Sequence, residues 1–180
     1  MGSWEWMADH RQRFEALALP HLDAAYDLAR WLSRSPTDAE DIVQEAMLRA
    51  WRAFDGFRGD NVRPWLLTIV RNCWRNGVAD TARRKQTPLP EEHDQPLADE
   101  PPGPEARAAD ASEARKLRAL IADLPEDFRE ALILREIEDM SYREIADATG
   151  APIGTVMSRL ARARALLKER WLTEGGDVVR

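Results

Sequence analysis

Residues 86–112, QTPLPEEHDQPLADEPPGPEARAADAS, limit what this chain can fold into more than any other feature. The stretch holds six of the 11 prolines, seven acids, one base and few large apolar residues. Proline removes backbone donors and the like charges repel, so the segment reads as an extended, flexible linker. A chain interrupted there cannot close a single core. It is expected to build two small domains, over residues 14–85 and 113–172, with an N-terminal extension over 1–13 and a C-terminal tail over 173–180. The 27 linker residues reach at most ~90 Å at ~3.3 Å each. As a flexible coil they average nearer ~30 Å. Two readings fit this segment: a plain spacer, or an acidic strand that occupies a basic channel on a partner.

The linker also explains the charge. The whole chain carries −6 at neutral pH, which looks wrong for a protein that binds nucleic acid. Residues 1–85 carry +1, residues 86–112 carry −6 and residues 113–180 carry −1. The acidity therefore sits in the linker, and local clusters decide what the flanks can bind.

Both flanks read as helical, with no period-2 alternation marking a sheet, so the fold class is all-α. One helix follows Pro20, with Leu22, Ala25, Tyr26, Ala29 and Leu32 on one face. A second starts at SPTDAED: Ser35 caps it, Pro36 suits its first position, and Asp38 favours its positive end. Ile42, Val43, Ala46, Met47, Ala50, Trp51 and Phe54 form its apolar stripe, and Gly56 ends it. A third starts near Asn61, with Val62, Trp65, Leu66, Ile69, Val70 and Cys73 apolar; Gly77 weakens its polar, basic end. The second flank holds four helices: Glu113–Asp123 stopped by Pro125, Glu126–Ile137, one from Ser141, and one from Pro152 to about Trp171. Ser141 and Glu144 form a capping box.

The strongest local motif is SYREIADATGAPIGTVMSRLARARALL. A helix ends at Thr149-Gly150, a tight turn follows, and a second helix starts at Pro152. Ala146 lets the helices cross closely, Gly150 permits a left-handed turn, and Val156 pins the second helix onto the first. This is a helix-turn-helix. The second helix carries Ser158, Arg159, Arg162 and Arg164, and arginine suits phosphates and guanine edges.

Two other stretches carry chemistry. DAEDIVQEAMLRAWRAF presents Asp38, Glu40, Asp41, Gln44, Glu45, Arg49 and Arg52 opposite its core face. Read alone, that face is a solvated surface with pairs such as Glu45–Arg49. FRGDNVRPWLLTIVRNCWRNGVADTARRK interleaves Trp65 and Trp74 with Arg58, Arg63, Arg71, Arg75, Arg83, Arg84 and Lys85. Aromatics beside cations suit single-stranded nucleic acid. At this spacing Trp65 fits the core more readily than a stacking platform, whereas Trp74 fits either. Asn72 and Asn76 lie four apart on one face, and their amides can bond a base edge.

No catalytic constellation is present. His10, His21 and His93 are scattered without metal-ligand spacing. Cys73 is alone, which excludes an intramolecular disulfide and a cysteine-based zinc site. There is no phosphate-binding glycine loop and no nucleophile motif. No apolar run approaches the ~18–20 residues of a membrane span, and the N-terminus lacks the apolar core of a secretory signal. A cytoplasmic non-enzyme without metal or cofactor is expected.

Taken in order, these segments resemble an extracytoplasmic-function sigma factor of bacterial RNA polymerase. DAEDIVQEAMLRAWRAFDGF resembles region 2.2, FRGDNVRPWLLTIVRN resembles region 2.3, and RNCWRNGVADTARR sits where region 2.4 belongs. LPEDFREALILREIEDMSYREIADATGAPIGTVMSRLARARALL resembles region 4. The likeness spans roughly residues 14–85 and 113–171. It implies that Asp38, Asp41, Gln44, Glu45 and Arg49 bind the clamp helices of the polymerase's largest subunit. Region 4 would meet the polymerase flap. It implies that Arg63, Trp65, Arg71, Asn72, Arg75, Asn76, Arg83 and Arg84 bind the −10 element as it opens, with Asn72 and Asn76 holding a flipped base. Flipping costs a few kcal/mol of unstacking, which a pocket must offset. Ser141, Arg143, Thr155, Met157, Ser158, Arg159, Arg162 and Arg164 would meet the −35 duplex. The linker would thread the basic RNA exit path, and its reach suits elements some 20 base pairs apart, ~70 Å at 3.4 Å per pair. Control by an anti-sigma factor is also implied.

This sequence departs from the family's pattern in three places. Met157 stands where many relatives carry Lys or Arg, Gly77 interrupts a less basic region 2.4, and residues 1–10 have no clear counterpart. The competing reading is a helix-turn-helix regulator that binds duplex DNA without core polymerase. The tryptophan-rich basic segment and the acidic linker argue against it.

Overall fold

A computed structural model describes residues 3–84 and 107–173. All regular structure among the described residues is helical, with eight α-helices. The chain divides into two compact units between Asp94 and Gln95. The expected linker through residue 106 and the tail from 174 lie outside the described residues.

The first unit is built from α1 (Ser3–Ala18), α2 (Leu22–Ser33), α3 (Pro36–Ala53) and α4 (Val62–Arg84). Helices α2, α3 and α4 pack on one another, and α1 lies against α4. Small residues make the close approaches possible: Ala25 and Ala29 on α2 and Ala39, Ala46 and Ala50 on α3 are all buried. Leu28, Leu32, Leu66, Leu67 and Val70 fill the space between them. Ser35 caps α3 as its sequence predicts, with its hydroxyl accepting from the Asp38 amide at 3.3 Å. Asn61 does the same for α4, accepting from the Arg63 amide at 3.1 Å. Helix α4 runs straight through Gly77 to Arg84, so that glycine does not end it.

Residue 13 is not a boundary. Helix α1 crosses it unbroken, and His10, Phe14 and Ala18 are buried at four-residue intervals. The His10 ring sits edge-on to Trp51 at 4.3 Å, and Phe14 is edge-on to Phe54 at 5.2 Å. His10 Nε2 also lies 3.2 Å from Asp55. The stripe is one residue wide per turn and flanked by charges, which is why the sequence pattern hides it.

The second unit contains α5 (Arg107–Ala122), α6 (Glu126–Leu132), α7 (Tyr142–Thr149) and α8 (Ile153–Thr173). Helix α5 starts at Arg107, six residues before the expected helix start at Glu113. The last proline before it is Pro104, and the alanine-rich ARAADASEAR that follows favours a helix. Helices α5, α6 and α7 each pack on α8. The single helix expected over Glu126–Ile137 widens into a π turn at Ile133–Ile137. The turn swings Ile133 and Leu134 fully into the core, and the Met140 amide closes it on the Leu134 carbonyl at 2.9 Å. The Arg135 guanidinium donates to the Met140 carbonyl at 2.9 Å.

Candidate nucleic-acid interface

The helix-turn-helix is formed as its residues dictate. Ser141 Oγ accepts from the Glu144 amide at 3.2 Å, and the Glu144 carboxylate accepts from the Ser141 amide at 2.7 Å. That reciprocal box starts α7. Gly150 ends it at φ +71°, where a side chain is strained, with its amide bonded to the Ala146 carbonyl at 2.9 Å. The Pro152 carbonyl accepts from Thr155 and Val156 and starts α8. Val156, Leu160 and Ala163 then lock α8 onto the unit's core.

The residues expected at the −35 element do not all share one face. Gly154, Met157, Ser158, Ala161, Arg162 and Ala165 look outward from α8, with Met157 53% exposed. Thr155 is half-buried beside them, and the Ser158 hydroxyl donates to its carbonyl at 3.0 Å. Arg143 is exposed on α7. Arg159 lies on one flank of the buried stripe. Its guanidinium is 2.8 Å from Asp127 at the start of α6, and its side chain is 24% exposed. Arg164 lies on the other flank, with Nε donating to Glu136 in the π turn at 3.1 Å. The bond to Glu136, and then that to Tyr142, raises the Arg164 pKa. The carboxylates of two preceding elements thus hold these two arginines, while Arg162 stays on the open face.

In the first unit, Trp65, Ile69, Asn72 and Asn76 recur at four- and three-residue steps and form one stripe down α4. Trp65 is half-buried against Phe57, with ring centroids 5.0 Å apart, and Asn72 and Asn76 are exposed. Arg71 Nη1 donates to Asn72 Oδ1 at 3.1 Å. That bond orients the amide so that its NH2 points away from the arginine. Trp74, which fitted core or stacking from sequence, is core at 3% exposure, with the Arg75 guanidinium 5.4 Å above its ring. Arg63 is half-buried. Arg83 and Arg84 continue the helix, and their side chains lie outside the described residues.

Helix α3 turns Asp38, Asp41 and Gln44 to solvent, while Glu45 and Arg49 form an i,i+4 pair at 2.6 Å. The Glu45 hydrogen bond raises the Arg49 pKa. Burial pushes the Cys73 thiol up, against the lowering effect of nearby Arg49. In the middle of this polar face stands Leu48, 48% exposed. Sequence reasoning passed over it. The signal was available, because residue 48 falls outside the apolar stripe, between Gln44 and Arg52.

A helix-turn-helix in one helical unit, with a tryptophan-and-amide stripe in the other, defines the two-module class of sigma-70 proteins. Residues 17–84 match the Sigma-70 region 2 family, and residues 114–167 match Sigma-70, region 4. Over 152 residues the chain is 33% identical to the ECF RNA polymerase sigma-E factor of Haemophilus influenzae, covering 79% of this chain and 78% of that one. It is 35% identical over 156 residues to the ECF RNA polymerase sigma factor SigE of Mycolicibacterium smegmatis, covering 87% of this chain but 60% of that relative's length. Among solved structures, it is similar to the sigma factor RpoE in complex with the anti-sigma factor NepR from Bartonella quintana. The TM-score there is 0.71 at 31% identity, covering 89% of this chain and 95% of that one. The chain belongs to the ECF sigma factor family. No helix among the described residues is long and apolar enough to cross a membrane.

Proposed function

We propose that this protein is an alternative sigma factor. It binds core RNA polymerase, recognises −35 and −10 promoter elements, opens the −10 DNA and starts transcription, and an anti-sigma factor holds it inactive. The observation that carries the reading is the pairing of two different nucleic-acid surfaces on one chain. The helix-turn-helix suits duplex DNA. The α4 stripe, with half-buried Trp65 above exposed Asn72 and Asn76, suits an unstacked strand. A regulator that reads duplex alone has no use for the second.

In this reading Asp38, Asp41, Gln44, Glu45 and Arg49 meet the polymerase clamp helices, and Leu48 supplies the apolar centre that such an interface needs. Region 4 meets the flap. Asn72 and Asn76 bond the edges of a flipped base, and Arg63, Arg71, Arg75, Arg83 and Arg84 track phosphates. The protein acts in the cytoplasm, is not an enzyme and requires no cofactor. Control by an anti-sigma factor is supported by the likeness to RpoE bound to NepR.

The test is gel filtration of the full chain with bacterial core RNA polymerase, followed by run-off transcription from a promoter library. Co-elution with new start sites is the expected result. Duplex binding without core binding would instead make the protein a helix-turn-helix regulator.

A further inference from the structure

The outward face of α8 is centred on an apolar side chain, although the helix carries three arginines between residues 159 and 164. Arg159 and Arg164 are turned back onto Asp127 and Glu136. Met157 stands in the second turn of the helix, 53% exposed, with Ala161 one turn on and Ser158 and Arg162 beside it. In a helix-turn-helix the N-terminal residues of the second helix reach base edges in the major groove. There, only thymine offers an apolar group, its C5 methyl.

We propose that Met157 is a specificity-determining residue that reads the C5 methyl of a thymine in the −35 duplex, with Arg159 and Arg164 acting as positioning residues for the helix. The proposal rests on the sigma-factor reading above. Its physical basis is the choice left open by the tied arginines. A thioether at the centre of the face cannot bond a guanine or adenine edge as a donor. Its sulfur is only a weak acceptor, so its main gain comes from excluding water from another apolar group, and its flexible chain follows the methyl closely. Arg162 and the Ser158 hydroxyl, on the same face, remain to bond phosphate or neighbouring bases.

The experiment uses holoenzyme reconstituted from the full chain and core polymerase. A −35 duplex is first selected from a randomised pool. Each thymine in it is then replaced singly by deoxyuridine, which removes only the methyl. Wild-type holoenzyme is expected to lose about three- to five-fold in affinity at one position, the scale of one buried methyl group. Met157→Ala should bind about as weakly as that and be indifferent to the replacement. Met157→Arg should shift the preference at that base pair towards guanine, which arginine reads at O6 and N7. Indifference of the wild type to every replacement overturns the proposal. So does a selected element lacking thymine, or a methyl effect that persists in Met157→Ala, since another side chain then reads the methyl. Holoenzyme that protects no −35 duplex at all would take down the sigma-factor reading itself, a failure visible before any deoxyuridine is introduced.

Discussion

At the scale of single residues, the arginines of α8 divide by what they touch. Arg159 meets Asp127 across 32 residues of sequence, in a pair that is partly shielded from water. Such a pair contributes about 0.5–1 kcal/mol. Arg159→Ala and Asp127→Ala are therefore expected to lower the melting temperature of the second unit by a few degrees, and the double variant by little more than either alone. Thermal melts of the four proteins give the coupling; full additivity would mean that the pair contributes nothing. Arg162→Ala should leave the melt unchanged. It should weaken −35 binding across sequences and reduce the salt slope by about one. The sequence placed all the arginines on one helix but could not sort them, because their carboxylate partners lie on other elements. Cys73 follows similar logic. Its thiol is buried and pushed up by that burial, so a thiol-alkylating reagent at pH 8 should modify it only as fast as the first unit opens. Labelling at the rate of a free thiol in the native protein would contradict the buried assignment.

At the scale of elements, legibility follows the range of the forces involved. The caps at Ser35 and Ser141 and the left-handed turn at Gly150 depend on three or four neighbouring residues, and each is found where its motif stands. The π turn at Ile133–Ile137 goes with the burial of Ile133 and Leu134 and the closing bond from the Met140 amide, which no local pattern announces. The membership of α1 in the first unit was hidden for the same reason, since only Trp51, Phe54 and Asp55 reveal what His10 and Phe14 are for. The local devices set measurable costs. Ser141→Ala removes one cap acceptor and is expected to cost about 1 kcal/mol in urea unfolding. Gly150→Ala meets no neighbouring atom yet must hold φ +71°, at about 1–2 kcal/mol. For α4 the expected effect is functional. Asn72→Ala with Asn76→Ala leaves the fold intact, because both side chains are exposed. Permanganate reactivity of −10 thymines should fall well before −35 protection does, and unchanged reactivity would remove both amides from the base-holding role.

At the scale of the whole molecule, the charge distribution separates what the two units do from what joins them. Both units are close to neutral, and nearly all the net charge of −6 comes from residues 86–112. A plain spacer needs length and solubility, and any polar residues would serve. An acidic strand seated in a basic channel needs the charges themselves. Five substitutions, Glu91→Gln, Glu92→Gln, Asp94→Asn, Asp99→Asn and Glu100→Gln, keep the length and every proline while taking the net charge from −6 to −1. All five lie in the acidic, proline-rich stretch outside the described residues, and each unit is expected to melt as before. If the strand sits in a basic channel, affinity for core polymerase should fall about ten-fold at low salt, at a few tenths of a kcal/mol per exposed charge. The difference from wild type should shrink as salt rises and screening replaces the lost contrast. Unchanged affinity at every salt concentration would assign the segment to spacing alone. In that case the interaction with polymerase would reside in the folded units, centred on the α3 face around Leu48.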